Sequence, residues 1–402
     1  MEPTFRNLVK GDRVIWTVLL LLSLLSLLII YSSTGALAYR AAGGATWHYL
    51  VRQVVFLSLG FGIILLMVHV VPVKLYSIIS QILVYISIGL LGMAFILKLT
   101  GQAGDTSGRT LDLGYISFQP AELAKISLIM FVARILSKNQ KSKEELSKAF
   151  YKIIIYTVAV CGLIFFSDFS TSALLFVTIM SMMFVGRIPP KYLFLVIGAG
   201  LALVILIFFT ADLLPARFSR AATIKGRLER FIKGDPNSEM GITQADYAKL
   251  AVYEGGLLGR GPGHSEVSNY MASAYNDFIF AIIVEEYGLI FGGAVILLYL
   301  IFFYRGVIVI KRATRTFPAF LVTGLTLLLV YQAIINIGVS TGVMPVTGQP
   351  LPWVSMGGTS MLFTSVAFGC VLSVSYQNQK NKTVREGQAV QVNTPDEDII
   401  MQ

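Results

Sequence analysis

Residues 14–34, VIWTVLLLLSLLSLLIIYSST, carry no charged side chain. At about 1.5 Å of rise per residue, a helix of that length crosses the ~30 Å hydrocarbon core of a bilayer. Working outward from it, comparable apolar runs recur near 50–71, 77–99, 120–136, 151–167, 171–186, 192–210, 276–304, 318–340 and 355–376. The 402-residue chain is 55% hydrophobic and 13% charged, far from the usual balance of a soluble domain. The fold class that follows is all-α: a polytopic integral membrane protein of about ten transmembrane helices. The first run is too long for a signal peptide, lacks a small-residue cleavage site and is followed by further spans, so it reads as a retained span.

Charge assigns the sides. With the N-terminus inside, the inner segments 1–13, 72–76, 137–152, 187–191, 305–315 and 377–402 hold 18 Lys and Arg, against only Arg40 and Arg109 in the short outer loops. Positive charge concentrates on the cytoplasmic side of membrane proteins, which places both termini in the cytoplasm. The formal net charge of +10 is therefore read as topology, and nucleic acid is not an expected partner. Cys161 and Cys370 lie in apolar runs and read as buried packing thiols, with no disulfide framework. The domain reading is a cytoplasmic N-terminus at 1–13, a membrane domain at 14–376 and a polar, aperiodic, disordered cytoplasmic tail at 377–402.

Between the seventh and eighth spans, residues 211–275 form a long extracytoplasmic loop with eight Lys and Arg. Loops of this length are functional or disordered, and helix-like stretches at 216–233 and 244–258 favour function. In 216–233, apolar Phe218, Ala221, Ala222 and Ile224 alternate with Arg217, Arg220, Lys225 and Arg227, as in a helix lying on a membrane surface; a solvated loop is the alternative. No fixed-period repeat and no pair of inverted halves is visible, which counts against a transporter built from repeats.

Ionisable groups inside a span cost roughly 2.5–3.5 kcal/mol each on insertion scales, so those present need a reason. In the fourth span, Pro120 suits a helix start, and Glu122 and Lys125 share a face three residues apart. They are either an internal ion pair or a cation lining a cavity for an anionic group. Asp168, in FSDFSTSALLF, is either a cap for the next helix or a group facing protein or water. Gly255, Gly256, Gly259, Gly261 and Gly263 with Pro262 predict tight turns around Arg260, which either holds phosphate or is solvated; the P-loop pattern is absent. Asp277 opens the eighth span at the water boundary, where a helix N-terminus favours a carboxylate, so simple capping is the alternative to chemistry. Glu285 and Glu286 are expected about 12 Å deeper along that helix. If one carboxylate can be reached by both water and a membrane-bound substrate, it is Asp277.

FQPAELAKISL, DFSTSALLF, GGLLGRGPGHS, NDFIFAIIVEEYGLI and NIGVSTGVMPVTGQPLPWVSMGGTS, in that order from roughly residue 12 to 376, resemble the SEDS family, which includes FtsW and RodA. Five ordered motifs are far more specific than any one. The resemblance implies a peptidoglycan glycosyltransferase of the bacterial cytoplasmic (inner) membrane that polymerises lipid II on the outer face. It implies a class B penicillin-binding protein and other division or elongation proteins as partners. Asp277 matches the family's essential acidic position and Lys125 the lysine of its QPAELAK motif. The DFST form of the second motif and the long tail tilt the reading towards the division-type branch. The chain departs from the family pattern at Thr110 for Trp, in MASAYNDF for LPEAHTDF, at Ser170 for Gly and at Gln349 for an apolar residue.

Glycoside hydrolysis uses two carboxylates because the leaving group is poor. Pyrophosphate leaves readily, so the implied chemistry needs one base, Asp277, and positive charge. Lys125, Arg109, Arg260 and Arg52 are the candidates to steady the phosphates, and Glu122, Asp168 and Ser265 complete the expected substrate site. A divalent cation, magnesium or manganese, is a candidate to share that role, although the sequence shows no protein cage for one. The rival readings are a lipid II flippase or transporter, with Lys125, Asp168 and Glu285 along its path, and a scaffold that activates its penicillin-binding partner.

Overall fold

The computed structural model describes residues 9–34, 47–100, 109–112, 117–210, 225–227, 229, 231, 243–271, 274–356 and 358–392. Each apolar run is a helix: α1 (Arg13–Ser33), α2 (Trp47–His69), α3 (Val73–Leu99), α4 (Pro120–Lys138), α5 (Lys143–Phe165), α6 (Phe169–Val185) and α7 (Pro190–Thr210). After a shorter helix, α8 (Gln244–Gly255), come α9 (Ile279–Lys311), α10 (Thr316–Ser340) and α11 (Thr359–Val392). Among the described residues, eight of these helices are long and apolar enough to cross a membrane. Of the other two, α6 has only 17 residues, and the 19-residue α4 carries Glu122, Lys125, Arg134 and Lys138. The chain is a multi-pass membrane protein. One β ribbon, Leu111 opposite Phe118 and Asp112 opposite Ser117, is the exception to the all-α reading among the described residues.

Helix α4 is the hub, packed by α3, α5, α6 and α10 and buried along most of its length. Pro120 starts it at a position where the missing N–H is no loss, and Ala121, Ala124 and Ser127 let neighbouring backbones approach. The termini share one end of the bundle. There Asp12 caps α1 through Val14 N and Ile15 N and accepts two bonds from Arg305 Nε at 3.0 and 3.1 Å. The opposite end carries residues 243–271 and is called the long-loop end below.

Three features differ from the sequence reading. First, residues 377–392 continue α11 where a disordered tail is expected from 377. No glycine or proline interrupts residues 377–386, and Asn378 and Gln379 donate to Val309 O and Gly11 O.

Second, α9 is two helices. A single straight helix of its 33 residues would be about 50 Å long, more than one crossing needs. Gly288 breaks it at φ 84, ψ 171. Residues 278–286 before the break are buried, whereas Leu289, Ile290, Leu297 and Leu300 beyond it face outward as a lipid-facing helix does. The glycine-rich loop enters the break: Arg260 N donates to Glu285 O, Gly261 N to Glu286 O and Leu289 N to Gly256 O, each at 2.9 Å. These bonds satisfy the backbone groups that the broken helix frees. Gly288 is required twice over, by its positive φ and because a Cβ there would lie 2.2 Å from Leu257 O.

Third, the last helix starts at Thr359 and not at 355, and residues 349–356, which span the end of the connection between the runs 318–340 and 355–376 and the start of the last run, descend among the helices without helical structure. Trp353, 2% exposed, packs edge-on to Phe61 and Phe368 and donates to Ser23 Oγ at 2.7 Å. Tyr299 Oη donates to Pro352 O at 2.6 Å and Ser26 Oγ to Val354 O at 2.7 Å. Ser23, Phe61 and Tyr299 lie near the middle of their spans. Non-helical backbone at that depth persists only where protein supplies its hydrogen bonds, which Tyr299 and Ser26 do here.

Candidate active site

Asp277 is the last residue of a helical turn, Ala274–Asp277, and Phe278 precedes α9 without a side-chain cap bond. Its carboxylate therefore does not cap the helix. The backbone around it is pinned: Asn336 Nδ2 donates to Asp277 O at 3.0 Å and to Gln349 O at 2.8 Å, Ser355 Oγ to Asn276 O at 2.8 Å, and Met356 N to Tyr275 O at 3.2 Å. The re-entrant loop thus holds the aspartate in place, and Gly348 lies beside its carboxylate, where a Cβ would sit 3.6 Å from Oδ2. Among the described residues no hydrogen bond or ion pair engages that carboxylate.

Its surroundings are charged. Partial burial pushes the Asp277 carboxyl up to about 6; Arg109 pulls it down, Asp168 pushes it up and Arg227 pulls it down. Arg109 Nη2 lies 3.6 Å from Asp168 Oδ2, and Arg109 Nε donates to Ser167 O at 3.3 Å. Asp168 plays both of its expected parts, because its Oδ1 also caps α6 through Thr171 N at 3.2 Å. Arg227 Nη1 donates to Val346 O at 3.2 Å. Arg52 is the neighbouring cation: it lies over Phe56, next to Gly358, and within electrostatic reach of Tyr275. The structure brings Asp277, Arg109 and Asp168 together, with Arg52 at the margin.

The remaining sequence candidates lie elsewhere. Lys125 Nζ pairs with Glu122 Oε1 at 2.8 Å, the lysine 1% and the glutamate 8% exposed, so the expected cavity-lining cation is an internal ion pair. Arg260 Nη1 pairs with Glu254 at 3.0 Å and Glu266 at 3.5 Å. Ser265 Oγ donates to Glu285 Oε2 at 2.5 Å, and Glu285 Oε1 accepts from Glu266 N and Val267 N. Glu286 accepts from Ser32 Oγ, in the last turn of α1. Glu286 therefore sits level with the long-loop end of α1, not deep in the membrane, because the break at Gly288 lets residues 279–287 depart from the crossing direction.

Two contributors escaped the sequence reading. In sequence Arg227 is one cation of the amphipathic stretch 216–233, of which 225–227, 229 and 231 are described and helical while the rest lies outside the described residues. Asn336 carried only an indirect signal, an amide inside the apolar run 318–340. No group of three or more His, Cys, Asp or Glu among the described residues forms a metal site.

The profile of the FtsW/RodA/SpoVE family, described as cell cycle protein, matches residues 12–380. A probable peptidoglycan glycosyltransferase FtsW of Coxiella burnetii is 31% identical over 90% of this chain and 96% of its own. One from Saccharophagus degradans is 32% identical over 91% and 93%, and one from Enterococcus hirae 32% over 93% and 95%. Among solved structures, a chain of a peptidoglycan synthase complex that coordinates polymerization and crosslinking superposes with TM-score 0.71 at 22% identity, covering 92% of this chain and 98% of that one. The rod shape determining protein RodA of Thermus thermophilus gives 0.64 at 20% identity, covering 92% and 98%. The chain belongs to the FtsW/RodA/SpoVE family of cell cycle proteins.

Proposed function

We propose that this chain is a peptidoglycan glycosyltransferase that polymerises lipid II into glycan strands, with Asp277 as its base. The long-loop end then faces away from the cytoplasm of a bacterial inner membrane and both termini lie in the cytoplasm, as the charge asymmetry suggests. The observation that carries the reading is the uncommitted Asp277 carboxylate facing Arg109 and Arg227. Glu122, Asp168, Glu285 and Glu286 are each bound to a partner.

The chemistry follows from that contrast. Asp277 accepts the proton of the acceptor sugar's 4-hydroxyl, and the oxygen attacks the anomeric carbon of the growing chain. The carbon–oxygen bond to pyrophosphate breaks with inversion, and the leaving group keeps the electron pair. Arg109, Arg227 and Arg52 offset the charge that collects on it. Among the described residues none build a cage for a divalent ion, and magnesium or manganese is proposed as an ion carried in on the pyrophosphate. A transport path is disfavoured because Lys125 and Glu285, which would line it, are buried in local pairs. The family and its solved synthase complex support a class B penicillin-binding protein as partner, and the division-type relatives support a role in division.

The test is purified protein, its penicillin-binding partner with the transpeptidase blocked, and lipid II in detergent, read as glycan strands on a gel. Detergent removes sidedness, so a flippase gives no product and an enzyme does. Asp277→Asn making strands at the parental rate would rule out the general base.

A further inference from the structure

We propose that the lysine-rich corner between α5 and α7, at the end of the bundle that carries the termini, is a binding site for an anionic phospholipid. This rests on the membrane reading of the helices and not on the glycosyl-transfer chemistry at the opposite end.

Helices α5 and α7 meet at a cluster of rings. Phe150 stacks on Tyr192 with centroids 4.8 Å apart and planes 21° apart, Tyr151 meets Tyr192 edge-on at 6.3 Å, and Ser147 Oγ lies 3.1 Å from Tyr192 Oη. Lys191 Nζ sits over the Tyr192 ring at 5.0 Å. Beside this junction a crevice is lined by Lys143, Glu144, Ser147, Lys148 and Tyr151. Spacings of four, five and eight residues from Lys143 put its other polar walls, Ser147, Lys148 and Tyr151, on one side of α5.

The cations here have no acidic partner among the described residues. At the same end of the bundle Arg305 is fixed to Asp12 and Arg134 to Ser77 O. By contrast, Lys143, Lys148, Lys152 and Lys191 are exposed, no ion pair engages any of them among the described residues, and the contact of Lys191 with the Tyr192 ring leaves its charge unneutralised. Glu144 is the acidic side chain in the crevice wall, so positive charge prevails.

The surface that continues from the crevice along the span is apolar. Helix α7 buries only Leu193 among its 21 residues and stays on the bundle through Val196 and through Gly200, which lies against Phe176 of α6. Beyond the Tyr192 junction Phe194, 75% exposed, and the outward-facing Ile155 and Val158 of α5 give the two helices an exposed apolar surface, a wedge open to lipid tails. A ligand matching the whole feature has an anionic phosphate head, a polar backbone at the tyrosine level and hydrocarbon tails: a phospholipid. An acidic soluble protein would use the lysines and leave the wedge without a partner. Aromatic rings with lysines at a span's end are also the chemistry of the headgroup layer.

The experiment uses delipidated full-length protein titrated with phosphatidylglycerol and, separately, phosphatidylethanolamine, with bound lipid counted by native mass spectrometry. One variant replaces Lys143, Lys148 and Lys191 with Gln. A control replaces Lys311, Arg312 and Arg315 with Gln at another corner of the same end. Each basic residue near an anionic headgroup contributes about five-fold in affinity, so the first variant should bind phosphatidylglycerol about 100-fold more weakly, and the control should match the parent. Equal losses in both variants, or no loss in the first, would overturn the site. Glycerol phosphate competing as strongly as the lipid would show that the wedge plays no part and that the source is a free phosphate ester. Both variants alter exposed side chains only; a melting temperature equal to the parent's confirms that lost binding is not lost folding, and Tyr192→Phe supplies a milder probe, expected to lower affinity only a few-fold.

Discussion

Two clusters at the long-loop end look alike in sequence and differ in structure. Each combines carboxylates, an arginine and glycines. Around Glu285 and Glu286 the charges are held locally: Ser265 and two backbone N–H groups on one carboxylate, Ser32 on Oε1 of the other, whose Oε2 is buried without a hydrogen bond among the described residues, and Glu254 and Glu266 on Arg260. Around Asp277 the backbone is pinned and no hydrogen bond or ion pair among the described residues engages the carboxylate. The lesson is that a charge-rich motif is a fastening when its members satisfy one another and a reaction centre when one member is held in place without a partner. The glycine-rich loop, whose sequence leaves Arg260 between phosphate contact and solvation, is the piece that completes a broken helix.

The comparison breaks if the two clusters respond alike to substitution. Asp277→Asn should lower the rate of strand formation by roughly 10²–10⁴-fold while leaving the melting temperature no lower than the parent's. Arg109→Ala removes both the neighbour of Asp168 and charge near the leaving group, and a loss of about 100-fold in rate is expected in the same assay. The pH profile sharpens the contrast further. With the Asp277 carboxyl at about 6, the rate should be half-maximal near that pH and fall about ten-fold for each unit below it, with a flat acid limb in Asp277→Asn. Stability should move the opposite way. A carboxyl raised from 3.8 to about 6 in the folded state contributes stability that is full below 3.8 and is lost as pH rises through about 6. Thermal melts across that window should show the loss in the parent and less of it in Asp277→Asn.

In the other cluster, Glu285→Ala leaves Ser265, Glu266 N and Val267 N without their acceptor. A stability loss of about 1–3 kcal/mol is expected, with the rate of the folded fraction largely retained. The smallest effect belongs to Arg260→Ala. Its ion pairs are partly exposed and are worth up to about 1 kcal/mol, with strand formation close to the parent's; a rate loss as large as that of Arg109→Ala would return Arg260 to the phosphate site.

By itself the sequence determined the helices and the family. Ten apolar runs become ten long helices because an apolar backbone segment in lipid must satisfy its hydrogen bonds internally, a constraint that acts residue by residue and is written in composition. The same locality made the caps legible, with Asp168 in place at the start of α6. The motifs that mark the family are contiguous stretches and were equally plain.

Tertiary structure decided which charges are free. Lys125 and Asp277 are both conspicuous in the sequence, yet one is closed off by Glu122 three residues away and the other stays open, a difference set by what packs over each. Only the fold could send residues 349–356 down among the helices to support Asp277 or bring Arg227 to it from more than a hundred residues before the loop it touches at Val346. Only the fold could make Gly288 the place where a loop replaces a turn of helix. Those outcomes depend on hydrogen bonds and burial between segments far apart in the chain, and such partners have no signature within either segment alone.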